Sequence, residues 1–149
     1  LVMDDVYQLL PGAPRRRLVL DAGTGIRALG EALVADGARP PGVDVVMTHA
    51  HADHVQGLAF FAPLGLPGVP VTLHVAEPVL ASVHAAVQLH LLPPVFPAPQ
   101  AALPDALRFV PLAADAPAPV AGFDVRAIEV AHPGGAFGYR IADPEAAAG

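Results

Sequence analysis

Apolar runs along this chain are broken by short glycine-, proline- or charge-bearing stretches, and the spacing within each run predicts its element. Val6 to Leu10 and Leu18 to Leu20 are β-type runs separated by Pro11-Gly12-Ala13-Pro14 and Arg15-Arg16-Arg17, which predicts an N-terminal hairpin. Leu18-Val19-Leu20 then enters Asp21-Ala22-Gly23-Thr24-Gly25, after which Ile26, Leu29, Leu33 and Val34 recur at helical spacing until Asp36-Gly37 supplies a stop. Val43 to Met47 reads as a second, largely buried strand, with a short helix from Gln56 to Phe61 behind it. Pro63 to Pro70 is a loop. Val71 to Val75 is a third strand, in which His74 falls out of phase with Val71, Leu73 and Val75 and so faces the other side of the sheet. Glu77-Pro78 opens a helix whose apolar face is Val79, Leu80, Val83, Val87 and Leu91. The runs 107–110, 123–130 and 137–141 complete the series as strands, the second with clear alternation. Between Leu92 and Pro104 the prolines predict a stiff, extended rim or lid, with Phe96 either at a substrate entrance or packed on the body.

Composition narrows the class. A chain of 149 residues that is 54% hydrophobic and 15% charged suits a single domain, and no apolar stretch reaches the ~18 to 20 residues of a membrane span. The N-terminus lacks the basic start and small-residue cleavage site of a secretory signal, and the absence of cysteine excludes disulfides. Together these predict a cytoplasmic protein. All eight positive charges are Arg and the net charge is −6, so a broad electrostatic footprint for nucleic acid is missing. The Arg15-Arg16-Arg17 cluster reads as a solvated turn rather than a phosphate site.

The candidate chemistry sits in Thr48-His49-Ala50-His51-Ala52-Asp53-His54, three imidazoles and a carboxylate directly after a buried strand. Neutral imidazole and carboxylate are ligands that zinc, manganese and iron prefer, and no thiolate competes. In extended backbone His49 and His51 project to the same side, whereas Asp53 and His54 turn into a helix start, so the spacing points to one ion near the first pair and another near the second. Asp53 is also a favoured helix-capping residue. His84 and His90 lie six apart and do not share an ion. His132-Pro133-Gly134-Gly135 repeats the placement of the first cluster at a strand exit, which makes His132 a fifth ligand. Asp21 and the His cluster both follow strands, where ligands collect in open α/β sheets. The glycine turn after Asp21 lacks the full phosphate-binding spacing and predicts a tight bend lying against another loop.

Three blocks resemble one family: Leu20-Asp21-Ala22-Gly23-Thr24-Gly25-Ile26-Arg27; His49-x-His51-x-Asp53-His54 with Val55-Gln56-Gly57-Leu58; and the run from His132 to Arg140. They are similar to the metallo-β-lactamase-fold hydrolases, in particular the phosphodiesterase-like branch that includes ribonuclease Z and cyclic-phosphate hydrolases. The likeness runs from about Asp21 to the C-terminus. It implies an αββα sandwich, an α/β (α+β) fold, with two divalent metal ions, zinc first and manganese or iron as alternatives. His49, His51 and His132 would serve one ion, Asp53 and His54 the other, and Asp21 would orient a ligand from outside the coordination sphere. The implied chemistry is attack on phosphorus by a metal-activated hydroxide that Asp53 helps to hold, on a small-molecule or nucleotide phosphodiester.

In that family a bridging aspartate and a last histidine lie beyond the His132 block, and neither has a counterpart here. The chain, residues 1–149, is therefore expected to be a single incomplete domain, the N-terminal half or more of the sandwich, with one sheet face exposed and homodimerisation a consequence. Two other functions stay open at this stage: a metal-binding but inactive truncated domain, and thioester or lactam hydrolysis on the same fold.

Overall fold

The computed structural model describes residues 7–8, 18–96 and 106–144, with only the backbone given for Tyr7, Gln8 and Asp36. Among the described residues, eight strands and three α-helices follow in chain order, joined in places by single 3₁₀ turns. Strands β1 (Tyr7–Gln8), β2 (Leu18–Leu20), β3 (Val43–Met47), β4 (Val71–Ala76) and β5 (Leu107–Leu112) form one sheet in that spatial order. The predicted N-terminal hairpin is present as β1 antiparallel to β2, and its connecting residues lie outside the described ones. The other pairings are parallel, with Leu20 opposite Val46, Met47 opposite Val75 and Ala76 opposite Leu112.

Parallel neighbours need crossovers, and right-handed crossovers advancing one strand at a time put every connecting helix on the same face. Helix α1 (Ile26–Val34) links β2 to β3, α2 (Ala52–Val55) begins the link from β3 to β4, and α3 (Leu80–Leu91) links β4 to β5. Ile26 and Leu33 of α1 and Val83, Val87 and Leu91 of α3 are buried with Val43, Val45, Leu73 and Val75 of the sheet in one continuous core. His74 faces away from that core, as its phase predicts, and its Nε2 lies 2.7 Å from Asp44 Oδ1 on the neighbouring strand. His84 packs its ring against Phe109 and His90 bonds the Ala86 carbonyl, so each has a local structural partner.

A second, three-stranded antiparallel sheet of β6 (Pro117–Val120), β7 (Phe123–Val130) and β8 (Ala136–Ala142) covers the opposite face. Leu18, Val46 and Leu112 of the first sheet meet Val120, Phe123 and Val125 of the second. The layers are thus helix, sheet, sheet. Among the described residues nothing covers the outward face of the second sheet: Ile128 is 44% and Val130 43% exposed. No helix among the described residues is long and apolar enough to cross a membrane.

Some local features differ from the sequence expectation: Ala62–Gly65, overlapping the predicted loop, and Glu77–Val79, at the predicted helix start, are 3₁₀. The helix predicted from Gln56 starts earlier, at Ala52, and the stretch Gln56–Phe60 is 3₁₀. The sequence pattern does not predict β6, because Pro117 and Pro119 read as breakers; an edge position tolerates them, since only one side of the strand must donate to a ladder. Phe96 ends edge-on to Phe60, at 5.8 Å between centroids, and the rest of the predicted rim, residues 97–104, lies outside the described ones.

The β6–β7 hairpin pairs Val120 with Phe123 and turns through Ala121 (φ 49°) and Gly122 (φ 84°). Two positive φ angles in a two-residue loop are those of a turn in which Asn-Gly is preferred, and alanine carries a steric penalty there. Ala121→Asn is therefore expected to stabilise the chain by about 0.5–1 kcal/mol. Urea unfolding measures this; an unchanged or lower midpoint would show that the loop does not hold this conformation.

Candidate metal centre

The register of β2 and β3 creates the site. Because Leu20 sits opposite Val46, Asp21 and Thr48 leave the sheet at the same end, two parallel strands opening side by side. Asp21 adopts φ 57°, a left-handed conformation that a short polar side chain tolerates better than most. Its N–H still donates to the Val46 carbonyl at 2.8 Å, while its carboxylate turns toward the β3 exit.

That carboxylate is buried and accepts three hydrogen bonds. Thr48 N–H donates to Oδ1 at 2.7 Å, and the Thr48 hydroxyl and His54 Nδ1 both reach Oδ2 at 2.8 Å. With its one proton committed to Asp21, Thr48 Oγ1 can only accept from His49 Nδ1, 2.9 Å away. His49 is thereby left with Nε2 as its bare nitrogen. His54, donating from Nδ1, is likewise left with Nε2. His132 donates Nδ1–H to the Pro133 carbonyl at 2.9 Å and also leaves Nε2 bare. A chain of local hydrogen bonds thus fixes which nitrogen of each ring is available, the role that outer partners of metal-ligating histidines usually play.

The bare nitrogens converge. His49, His51 and His132 each offer one ligand atom, and these lie within 4.8 Å of one another. His49 Nε2 and His51 Nδ1 face each other at 3.0 Å, a contact that requires a proton or a cation between them. Two imidazole nitrogens on one tetrahedral zinc, each at about 2.0–2.1 Å, stand about 3.3 Å apart, so this donor pair fits such an ion with little movement. The ring centroid of His132 lies 4.5 Å from that of His49 and 4.9 Å from that of His51. His49 forms the buried floor, and His51 and His132 are exposed, so the centre opens to solvent.

Asp53 and His54 are placed differently. His54 lies against His49, at 4.1 Å between ring centroids, and its Nε2 is 3.4 Å from Asp53 Oδ2. The Asp53 side chain is 75% exposed, in the first turn of α2, and does not cap that helix: His51 occupies the cap position without a side-chain bond. Among the described residues, these two do not join a third ligand as the first three do.

The glycine turn packs against this loop as the sequence predicts. Ala22 N–H donates to the His54 carbonyl at 2.7 Å, and Gly57 N–H to the Ala22 carbonyl at 2.9 Å. A Cβ on Gly57 would overlap the Gly23 carbonyl, so only glycine permits the approach. Thr48 and Gly57 shape this loop, and residue chemistry alone does not single them out. Their roles lie in contacts with residues 27 and 34 positions away, which no local pattern displays.

The arrangement also has an electrostatic consequence. Burial, reinforced by the neighbouring His54, His51 and His132, lowers the His49 pKa from 6.5 to about 4, against an opposing pull from Asp21. The unfolded chain then takes up a proton at His49 as pH falls below about 6.5, whereas the folded chain resists until about 4. The stability contributed by neutral His49 is full above pH 6.5 and is lost as pH falls toward 4. Thermal melts of the metal-free chain across this window should show a steeper acid loss than those of His49→Asn; parallel curves would contradict it.

Comparison with known proteins agrees with this fold. Residues 16–149 match a family model described as a beta-lactamase superfamily domain. The crystal structure of a diphosphatase from the PhnP family superposes with a TM-score of 0.58 at 19% identity, covering 87% of this chain and 46% of that one. The metallo-beta-lactamase fold protein YhfI from Bacillus subtilis gives 0.57 at 17% identity, covering 89% and 48%. The chain spans about half the length of these two solved structures. No match is found among curated proteins. With its layered sheets and the family match over nearly its whole length in agreement, the chain belongs to the beta-lactamase superfamily.

Proposed function

We propose that this chain carries the metal-binding part of a hydrolase acting on phosphodiesters or related phosphate anhydrides. The convergence of His49, His51 and His132 carries the reading, because three imidazole nitrogens within 4.8 Å form a donor set suited to a divalent cation. The likeness to a PhnP-family diphosphatase supports a phosphate-centred substrate over a lactam or thioester. A divalent cation held there supplies Lewis acidity to a phosphoryl oxygen and to the attacking water. Zinc is the preferred ion, with manganese and iron as alternatives.

The remaining work falls to the chain's own groups. Asp21 holds His54 directly and His49 through Thr48, so the ligand nitrogens need not reorganise when charge develops. In this reading Asp53, exposed beside His54 Nε2, accepts a hydrogen bond from the attacking water and orients it. In this reading Asp53 and His54 also contribute to a second ion. The solvent-facing His51 and His132 leave the centre open to a substrate arriving from solvent.

A second reading is a domain that binds one ion and does not turn over. It is favoured by the exposure of Asp53 and by the absence of a third ligand beside it and His54 among the described residues. Titrating the metal-depleted chain with zinc or manganese, with bis-p-nitrophenyl phosphate as substrate, separates the two. Two ions with hydrolysis are expected of the enzyme; one ion without hydrolysis selects the inactive domain, and no bound ion would remove both. Replacing Asp21 by Ala should weaken zinc binding by about 10- to 100-fold, the usual effect of losing an outer carboxylate. Chelator competition measures that loss, and unchanged affinity would mean the ligands orient themselves.

A further inference from the structure

The three imidazoles of the centre come from two separate arms, and something must set the distance between them. His49 and His51 belong to the exit of β3, while His132 stands on the turn between β7 and β8. Strand β8 touches the first arm at two consecutive carbonyls. Phe137 N–H donates to the Thr48 carbonyl at 3.1 Å, and the Tyr139 hydroxyl donates to the Met47 carbonyl at 2.8 Å. Phe137 and Tyr139 are alternate residues of one strand, so their side chains share a face, the one turned toward the first sheet. The backbone bond is open to any non-proline residue at 137. The second bond needs a phenol.

We propose that the Tyr139 hydroxyl is a positioning group for the metal centre, setting the His132 arm against the His49–His51 arm; this rests on the metal-binding reading above. Met47 lies two residues before His49, so a shift at its carbonyl moves the first ligand directly. On the other side the β7–β8 ladder runs unbroken from Ala127–Tyr139 to Val130–Ala136, two residues short of His132. The phenol therefore grips one arm and is carried rigidly by the other. Its ring packs against both the helix-side core and the core between the sheets, so Tyr139→Phe removes the tether while keeping the packing.

A tether and a mere packing residue differ in how they couple to His132. Zinc affinity, read by competition with a chromophoric chelator, is measured for the unaltered chain, Tyr139→Phe, His132→Ala and the double variant. Tyr139→Phe is expected to weaken zinc by about tenfold in the unaltered chain and by less than about twofold in the His132→Ala background, as in a double-mutant cycle between coupled groups. Cobalt in place of zinc should give altered visible bands in Tyr139→Phe. Equal losses in both backgrounds, or none in the first, would overturn the proposal. A metal-free arm keeps it separate from the functional reading: nuclear Overhauser contacts between the His51 and His132 rings should be present in the unaltered chain and lost in Tyr139→Phe. If the unaltered chain binds no zinc the functional reading falls, and these contacts alone decide the role of Tyr139, their persistence in the variant counting against it.

Discussion

The carboxylate of Asp21 is the point on which this site depends. Buried at the exit of β2, it accepts from the backbone and side chain of Thr48 and from His54. Removing it would strand three donors in a partly buried space, a cost of about 1–3 kcal/mol for each unsatisfied group. More consequential is what its acceptor character dictates. A carboxylate cannot donate, so each group facing it must, and the direction of every following bond is then settled. Thr48 gives its proton to Asp21, His49 gives Nδ1–H to Thr48, and His54 gives Nδ1–H to Asp21.

The fold supplies the geometry that lets one aspartate do this. Parallel pairing of β2 and β3 makes both strands open at the same sheet end, and one-way crossovers keep the helices off the other face. That face is then available to the second sheet, whose β7–β8 turn brings the His132 ring centroid to 4.5 Å from that of His49. Burial within this arrangement also raises the Tyr139 phenol to about 12, so it remains a donor to Met47 wherever the chain is folded at ordinary pH.

Much of this is legible in the residues. The periods of the apolar runs locate β3 to its end residues, and phase alone puts His74 on the correct face. Residue order marks His49, His51 and His132 each as following a strand, whereas their grouping on one ion is what the family resemblance implies. Legibility fails where pairing rather than pattern decides. Pro117 and Pro119 mark a breaker to any local reading, yet the edge of a sheet accepts them. Thr48, Gly57 and Tyr139 look like ordinary loop and strand residues, since a threonine proton, a missing Cβ and a phenol acquire meaning only from partners 27, 34 and 92 positions distant. Asp53 and His54, adjacent in sequence and matched in chemistry, diverge in environment because one side chain faces solvent and the other turns to Asp21.

Imidazole nitrogen shifts in the ¹⁵N-labelled, metal-free chain at about pH 8, where neutral imidazole dominates, test this account most directly. It predicts that His49, His54 and His132 each carry the proton on Nδ1 and leave Nε2 bare, and that Asp21→Ala releases His49 and His54 into mixed tautomers while His132 is unaffected. His49 or His54 protonated on Nε2 in the unaltered chain would contradict it.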